Sequence, residues 1–321
     1  MVPAPHLIDR FCGDLDSLIP VDKRLGIAVS GGPDSLALLL LAATARRGKV
    51  ESATVDHGLR PGAADEAEIV RKFCEKLGVP HVTLTAKWAR QPTTAIQEQA
   101  RDERYGLLGA WAKKRGLDAI VTAHHADDQA ETFLMRLARG SGLRGLAGMR
   151  RIATLPGDDM PLLRPLLGWR REELEQVCAE AAVDPVQDPS NLDEQFERVR
   201  VRNLLASTSL LDSASIAASA SCLGEADRAL EWATDREWQS AVSDEDGEFS
   251  YRPYAPAEIQ RRIVRRFIAL LGSEGDIVNL RGKEMDRVIA ALDAGEPTTI
   301  RGVRCAGGPE WHFSKAPPRR R

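Results

Sequence analysis

Between residues 25 and 140 short, continuous apolar runs alternate with helical patterns, and that alternation admits very few folds. Leu25–Ser30 reads as a buried strand and Asp34–Arg47 as a helix rich in Leu and Ala. Val50–Val55 is a second strand, followed by a helix over Ala63–Leu77 that ends at Gly78. His81–Thr85 is a third strand, Thr94–Arg115 a long helix closed by Gly116, Asp118–Thr122 a fourth strand and Asp127–Arg139 a helix. Strands that are apolar throughout belong to a parallel sheet covered on both faces. Right-handed crossovers then bring the strand ends, and with them the functional site, to one edge. The expectation is an α/β chain with a doubly wound, Rossmann-like parallel sheet.

Gly140–Met149 breaks this rhythm with Gly140, Gly142, Gly145 and Gly148, a spacing that asks for positive φ or close approach somewhere in the segment. Met160–Leu167 is extended, Trp169–Ala181 helical, and Asp184–Asn191 a turn-rich loop. From about Leu204 the composition shifts toward Ala, Ser and helix formers, with helices over Ser213–Trp238 and Ile259–Leu271. A chain of 321 residues, 43% hydrophobic, is long enough for one large domain and a smaller companion. The division expected is a catalytic domain over 1–210 and a smaller, mainly helical domain over 211–321.

No apolar run reaches 18 residues, so no transmembrane helix is expected. The first twenty residues lack a basic start followed by an apolar core, so no secretory signal is expected either. The five cysteines are scattered without a close pair, which argues against a disulfide framework, a zinc knuckle or a CxxC cluster site. A cytosolic protein is the reading. The net charge of −3 gives no global sign of a nucleic-acid partner, but arginines gather at 198, 200 and 202, at 261, 262, 265 and 266, and at 319–321. Each cluster taken alone reads as a solvated face.

The chemistry concentrates in Ser30-Gly-Gly-Pro-Asp-Ser35, which leaves a strand and opens a helix. That position offers free backbone N–H groups and the positive end of a helix dipole to phosphate. Gly31 and Gly32 let the amides approach, Pro33 fits a first helical turn, and Ser30 and Ser35 supply hydroxyls. Asp34 beside a phosphate asks for a cation, with Mg²⁺ the natural one. The string is no Walker A loop, since the Gly-Lys-Ser/Thr ending is absent. His124–Glu131 follows the fourth strand and so lies on the same edge; Asp128 and Glu131 are three apart and can share Mg²⁺ or hold an ammonium group, or simply satisfy the helix dipole. His124 and His125 with scattered aspartates make a poor zinc set, and His124 joins the ATP-binding candidates instead. Asp56 and His57 end the second strand and either contact base or ribose or form a plain turn with Gly58. Arg101 and Arg104, three apart on one helix, are candidates for phosphate contact or a solvated face.

SGGPDS resembles the PP-loop of the N-type ATP pyrophosphatases, which cleave ATP between its α- and β-phosphates and adenylate a substrate. Val55-Asp-His-Gly-Leu-Arg60, Ala100-Arg-Asp-Glu-Arg-Tyr105 and His124-His-Ala-Asp-Asp-Gln-Ala-Glu-Thr132, with Arg136-Leu-Ala-Arg-Gly-Ser-Gly-Leu-Arg-Gly-Leu146 after it, resemble the tRNA(Ile)-lysidine synthetase family. The resemblance runs over about residues 20 to 205, including Arg164-Pro-Leu-Leu167 and Asp188-Pro-Ser-Asn191, and is weak beyond. It implies ATP, Mg²⁺, L-lysine and an isoleucine tRNA with a CAU anticodon as reactants. In that family the acids matching Asp128 and Glu131 serve ATP, Mg²⁺ and lysine, the acid matching Asp34 activates the lysine amine, and arginines matching Arg101 and Arg104 approach triphosphate and substrate. The implied reaction adenylates the wobble cytidine and then joins lysine to its C2, releasing pyrophosphate and AMP, so that the anticodon reads AUA in place of AUG. A thiolating relative would want clustered cysteines; a small-molecule synthetase on the same loop would show no tRNA affinity; an RNA-binding module without catalysis would not need the acid set. Arg262, Arg265 and Arg266 fall on one face of the Ile259–Leu271 helix, opposite Ile263, Val264, Phe267 and Ile268, and are expected to face outward as a phosphate track. The oligomeric state is left open, with a homodimer as one candidate.

Overall fold

The computed structural model describes residues 2–58, 63–86, 88, 96–183, 195, 197–272 and 282–317. The Asp188–Asn191 string, the Leu59-Arg60 end of the second motif, the Thr94 start of the long helix and Arg319–Arg321 lie outside the described residues. The chain divides into two compact units, 1–224 and 225–321.

The first unit opens with α1 (Pro5–Asp16), whose Leu7, Phe11 and Leu15 repeat every four residues and face the core. Then follow β1 (Leu25–Ala28), α2 (Pro33–Ala45), β2 (Val50–Asp56), α3 (Ala63–Leu77), β3 (His81–Thr85), α4 (Ile96–Arg115), β4 (Ala119–Val121) and α5 (Ala126–Ala138). A short α6 (Leu143–Leu146), β5 (Ile152–Thr154), β6 (Pro161–Leu163), a 3₁₀ turn at Pro165–Gly168, α7 (Arg171–Glu180) and α8 (Glu197–Ser207) complete it. The sheet order is β3-β2-β1-β4-β6-β5, parallel except for β5. The order reverses between β1 and β4, and in such sheets ligands bind in the crevice beyond the strand ends at that reversal.

Both faces are covered, as the apolar strands require. Ala119 and Val121 of β4 join the core around α2 and α7, while Ile120 between them joins the core of Tyr105, Leu108 and Trp111 from α4. Residues Ser35 to Ala42 of α2 are all buried, so this helix is apolar around its whole circumference rather than along one stripe. Gly26 in β1 faces α4: a Cβ there would stand 2.7 Å from the Trp111 ring, so the strand admits no side chain at that point. Among the described residues no helix is long and apolar enough to cross a membrane.

The boundary between the units falls inside α9 (Ser213–Ala241). The second unit holds the end of that helix, β7 (Val242–Glu245), β8 (Glu248–Tyr251), α10 (Ala257–Leu271), α11 (Gly282–Asp293), β9 (Thr298–Ile300), β10 (Val303–Ala306) and β11 (Trp311–Lys315). The expected helices are present, beside a five-stranded antiparallel sheet, β7-β8-β11-β10-β9, which the sequence reading did not include. Ile263, Val264, Phe267 and Ile268 of α10 pack on it, with Phe267 stacked on Phe313 at 4.1 Å between ring centroids.

The outward arginine track on α10 needs correction. Arg262 is 5% exposed and donates to Asp227 (2.6 Å), Glu231 (2.6 Å) and Glu258 (2.9 Å). Arg266 is bound to Glu231 and, at 2.5 Å, to Asp235. Acids of α9 neutralise these arginines, and a buried guanidinium requires such partners. Arg265 is half-buried and has contacts of its own.

Candidate active site at the sheet reversal

Ser30–Ser35 leaves β1 on one side of the reversal and His124–Glu131 leaves β4 on the other. The first segment is folded by its own hydroxyls. Ser35 Oγ accepts from the Ser30 amide (3.1 Å) and donates to the Gly32 carbonyl (2.9 Å), and Ser30 Oγ lies 3.2 Å away. Gly31 sits at φ +91°, a conformation that any Cβ would strain. Pro33 occupies the first turn of α2, where its missing N–H leaves nothing unsatisfied. From α7, Cys178 Sγ donates to the Pro33 carbonyl at 3.3 Å and braces the loop from behind.

Asp34 meets the second segment through His125, which the sequence offers only as half of a poor zinc pair. The His125 ring is 0% exposed; its Nε2 lies 3.5 Å from both Asp34 and Asp128, and its Nδ1 3.4 Å from Asp127. Burial opposes its charge, yet Asp127, Asp34 and Asp128 outweigh burial and push its pKa up to about 10. The contacts are ion pairs without the alignment of hydrogen bonds. His125 is therefore a buried cation joining acids from both sides of the reversal. Asp127 stays well below the usual carboxylate range against the pull of burial, held by His125 and by the Arg171 amide at 2.9 Å.

Asp128 and Glu131 do lie on one face of α5, and each is already gripped. Arg198 of α8 donates to Asp128 Oδ1 (2.6 Å) and to Glu131 Oε2 (2.5 Å), while Arg202 reaches Glu131 Oε1 (2.8 Å). Glu131 is 1% exposed. Arg198 and Arg202 read in sequence as a solvated cluster; their four-residue spacing, about one helical turn like the three-residue spacing of the acid pair across from them, is the available signal. Asp128 Oδ2 also accepts the His125 amide at 3.1 Å, so it serves as a helix cap as well.

His124 stands against Thr122 Oγ1 (2.9 Å). Burial, reinforced by Arg164, Arg101 and Arg104 against the pull of Asp128, brings its pKa down to about 3, so it is neutral at physiological pH. Arg101 and Arg104 lie over the Tyr105 ring at 5.1 and 5.2 Å. Neither has a carboxylate partner among the described residues. Asp56 Oδ1 accepts the Gly58 amide (2.8 Å) in a turn at φ +62°, and burial with Arg104 nearby lowers the pKa of His57. Asp127, Glu131, Arg170, Arg171 and Arg202 also line a cavity of about 400 Å³ in this unit, a wall that carries both signs of charge.

Metal binding is constrained by the donors. Among the described residues no three His, Cys, Asp or Glu side chains converge as a ligand set. Asp34 Oδ1, however, is buried with no hydrogen-bond partner, the condition of a carboxylate oxygen awaiting a cation. Such a site fits Mg²⁺, which takes one or two carboxylates and completes its shell with phosphate oxygen and water.

Residues 8–208 match the PP-loop domain family. The tRNA(Ile)-lysidine synthase of Novosphingobium aromaticivorans is 47% identical over 314 residues, 97% of this chain and 94% of that protein. The tRNA(Ile)-lysidine synthase of Zymomonas mobilis is 42% identical over 306 residues, 94% and 91% respectively. Among solved structures, the U34-tRNA thiolase of Methanococcus maripaludis matches with a TM-score of 0.56 over 69% of this chain and 81% of that one, at 16% identity, a likeness of fold alone.

Proposed function

The chain belongs to the tRNA(Ile)-lysidine synthase family of PP-loop enzymes, and we propose that it joins L-lysine to C2 of the wobble cytidine in an isoleucine tRNA with a CAU anticodon. The carrying observation is the meeting of Asp34, from the phosphate loop, with Asp127 and Asp128, from the β4 edge, around buried His125.

In this reading the Ser30–Ser35 amides and hydroxyls receive the ATP phosphates, with His124, Asp56, His57 and Arg101 around the nucleotide. Asp34 and Asp128 would hold Mg²⁺, which would supply positive charge against the triphosphate. The cytosine O2 attacks the α-phosphorus and pyrophosphate departs; the lysine ε-amine then attacks C2, AMP departs, and the amine gives up a proton. A free lysine amine is protonated at pH 7, with a pKa of about 10.4, so a base is needed beside it. Asp34 suits that role because one of its carboxylate oxygens has no hydrogen-bond partner. Arg104, Asp128 and Glu131 orient lysine and the cytidine. The neighbouring cavity, with Arg170, Arg171 and Arg202 facing Asp127 and Glu131, suits the charged ends of an amino acid. The cytidine reaches the site from a single-stranded loop, where unstacking costs least. The reading places the enzyme in the cytoplasm with its tRNA and keeps a homodimer as one candidate for its oligomeric state.

Pyrophosphate release measured with lysine and isoleucine tRNA transcripts that differ only at the wobble base tests this. Release should require cytidine there. Equal release from a uridine transcript, or release driven by a small acid or amide without RNA, would overturn it. Sedimentation velocity decides the homodimer.

A further inference from the structure

From Thr132 to Gly157 the chain carries no Asp or Glu and five arginines, at 136, 139, 144, 150 and 151, in a protein whose net charge is −3. The segment is the end of α5, the glycine-rich stretch, α6 and β5, and it is pinned rather than loose. Gly140, at φ +68°, stops α5. Gln129, 4% exposed, accepts the Met149 amide (2.8 Å) and donates to the Met149 carbonyl (3.1 Å). Arg136 donates to the carbonyls of Gly145 (2.7 Å) and Gly148 (3.2 Å). A Cβ on Gly148, at φ +64°, would stand 2.5 Å from the Gln129 amide, so glycine is what allows the stretch to close on α5.

The charges on this pinned surface are unevenly answered. Arg151 meets Asp14 (2.9 Å), Arg139 meets Glu197, and Arg150 donates to the Gly224 carbonyl (2.9 Å) and has a further contact. Arg101, Arg136 and the exposed Arg144 have no carboxylate partner among the described residues. Arg101 and Arg136 are also neighbours in charge: burial and then the proximity of Arg101 and Arg139 make Arg136 hold its proton less firmly than a free guanidinium, and Arg101 acts likewise on Arg104, after burial. Arg136, held by backbone carbonyls and repelled by Arg101 and Arg139, and exposed Arg144 leave this surface with positive charge that its two acids, Asp14 and Glu197, do not balance, and such a surface suits a polyanion.

We propose that the sugar–phosphate backbone of the tRNA substrate lies across the surface formed by the end of α5 and α6, contacted by Arg139 and Arg144 outside the nucleotide site. The surface positions the RNA through charge and reads no base. The inference rests on the proposed tRNA substrate and adds where that RNA is held.

Arg139 is 61% exposed and Arg144 exposed, so both can be changed without opening the core. In the full chain, tRNA affinity is measured between low and moderate salt for wild type, for R139Q/R144Q, for R144Q alone and for R139K/R144K. The logarithmic salt slope should flatten by about 1.4–1.8 in the double glutamine variant and by about 0.7–0.9 in R144Q, while the lysine pair keeps the wild-type slope. ATP binding without RNA should be unchanged in all of them. An unaltered slope in the folded double variant would overturn the inference, as would loss of ATP binding in equal measure, which would assign the arginines to the nucleotide. A wild-type chain with no tRNA affinity would instead overturn the proposed substrate.

Discussion

Asp34 and Glu131 are both acids of one site, and their surroundings make opposite demands on a mutant. The Asp34 side chain is partly open, keeps one oxygen unengaged and shares His125 with Asp127 and Asp128, so Asp34→Ala should lower the melting transition less than Glu131→Ala does. Lysine transfer should fall a hundredfold or more, the usual effect of removing one charge partner of about 2.7–4 kcal/mol from a transition state. Near-wild-type turnover at saturating Mg²⁺ and lysine would remove Asp34 from the mechanism. Glu131→Ala strips both Arg198 and Arg202 of a buried partner, and it should cost stability as well as activity; because those arginines are partly open to water, the loss should sit near the lower end of about 3–5 kcal/mol. Glu51 in β2 supplies a pH effect away from the site. Its pairing with Arg115 (2.7 Å) and Arg24 (2.6 Å) lowers its pKa against the pull of burial. A carboxyl whose folded pKa is depressed stabilises the fold above its unfolded value and loses that contribution as pH falls through the folded one. Wild type should therefore lose stability on acidification below about pH 4.3, and Glu51→Gln should lose less over the same interval, as paired thermal melts would show.

The elements of the first unit were legible because their signals are local. Apolar runs of strand length, glycines after helices and a phosphate loop between a strand and a helix can each be read within a few residues, and β1 through α5 fall within a residue or two of their expected limits. What was missed depends on distance in sequence. Asp34, far along the chain, joins the neighbouring Asp127 and Asp128 in making His125 a buried cation, and Arg198 and Arg202 become partners of Asp128 and Glu131 only when α8 lies on α5. The antiparallel sheet of the second unit had a faint signal in the alternation of Val-Arg-Cys-Ala and Trp-His-Phe-Ser-Lys, but three- to five-residue strands rarely stand out. On α10 the helical period gave the apolar stripe correctly and could not show that Asp227 and Glu231 of α9 would enclose Arg262. Arg262→Met should consequently destabilise the fold by about 3–5 kcal/mol, since it takes the guanidinium away from buried Asp227, and should leave the salt slope of tRNA binding alone. A flattened slope in that variant, with an unchanged melt, would restore the outward track.

At the scale of the whole molecule, the two units call for a division of labour that cutting can test. A fragment ending at Gly224 keeps the loop, the sheet reversal and the acid set, so it should bind ATP as the full chain does, while tRNA affinity falls if the second unit carries part of the RNA contact. Equilibrium dialysis with ATP and filter binding with tRNA measure the two halves of that expectation. The acid-free run between Thr132 and Gly157 has a consequence for how the molecule behaves among charged surfaces in general. A protein with a pI of about 6.1 ought to pass a sulfated resin at neutral pH without delay. Close to an anionic surface the local charge counts for more than the net charge, since charges beyond about 10 Å are screened at 0.1 M salt. This chain should therefore be held on heparin at low ionic strength through its acid-free run, and R139Q/R144Q should elute earlier than wild type.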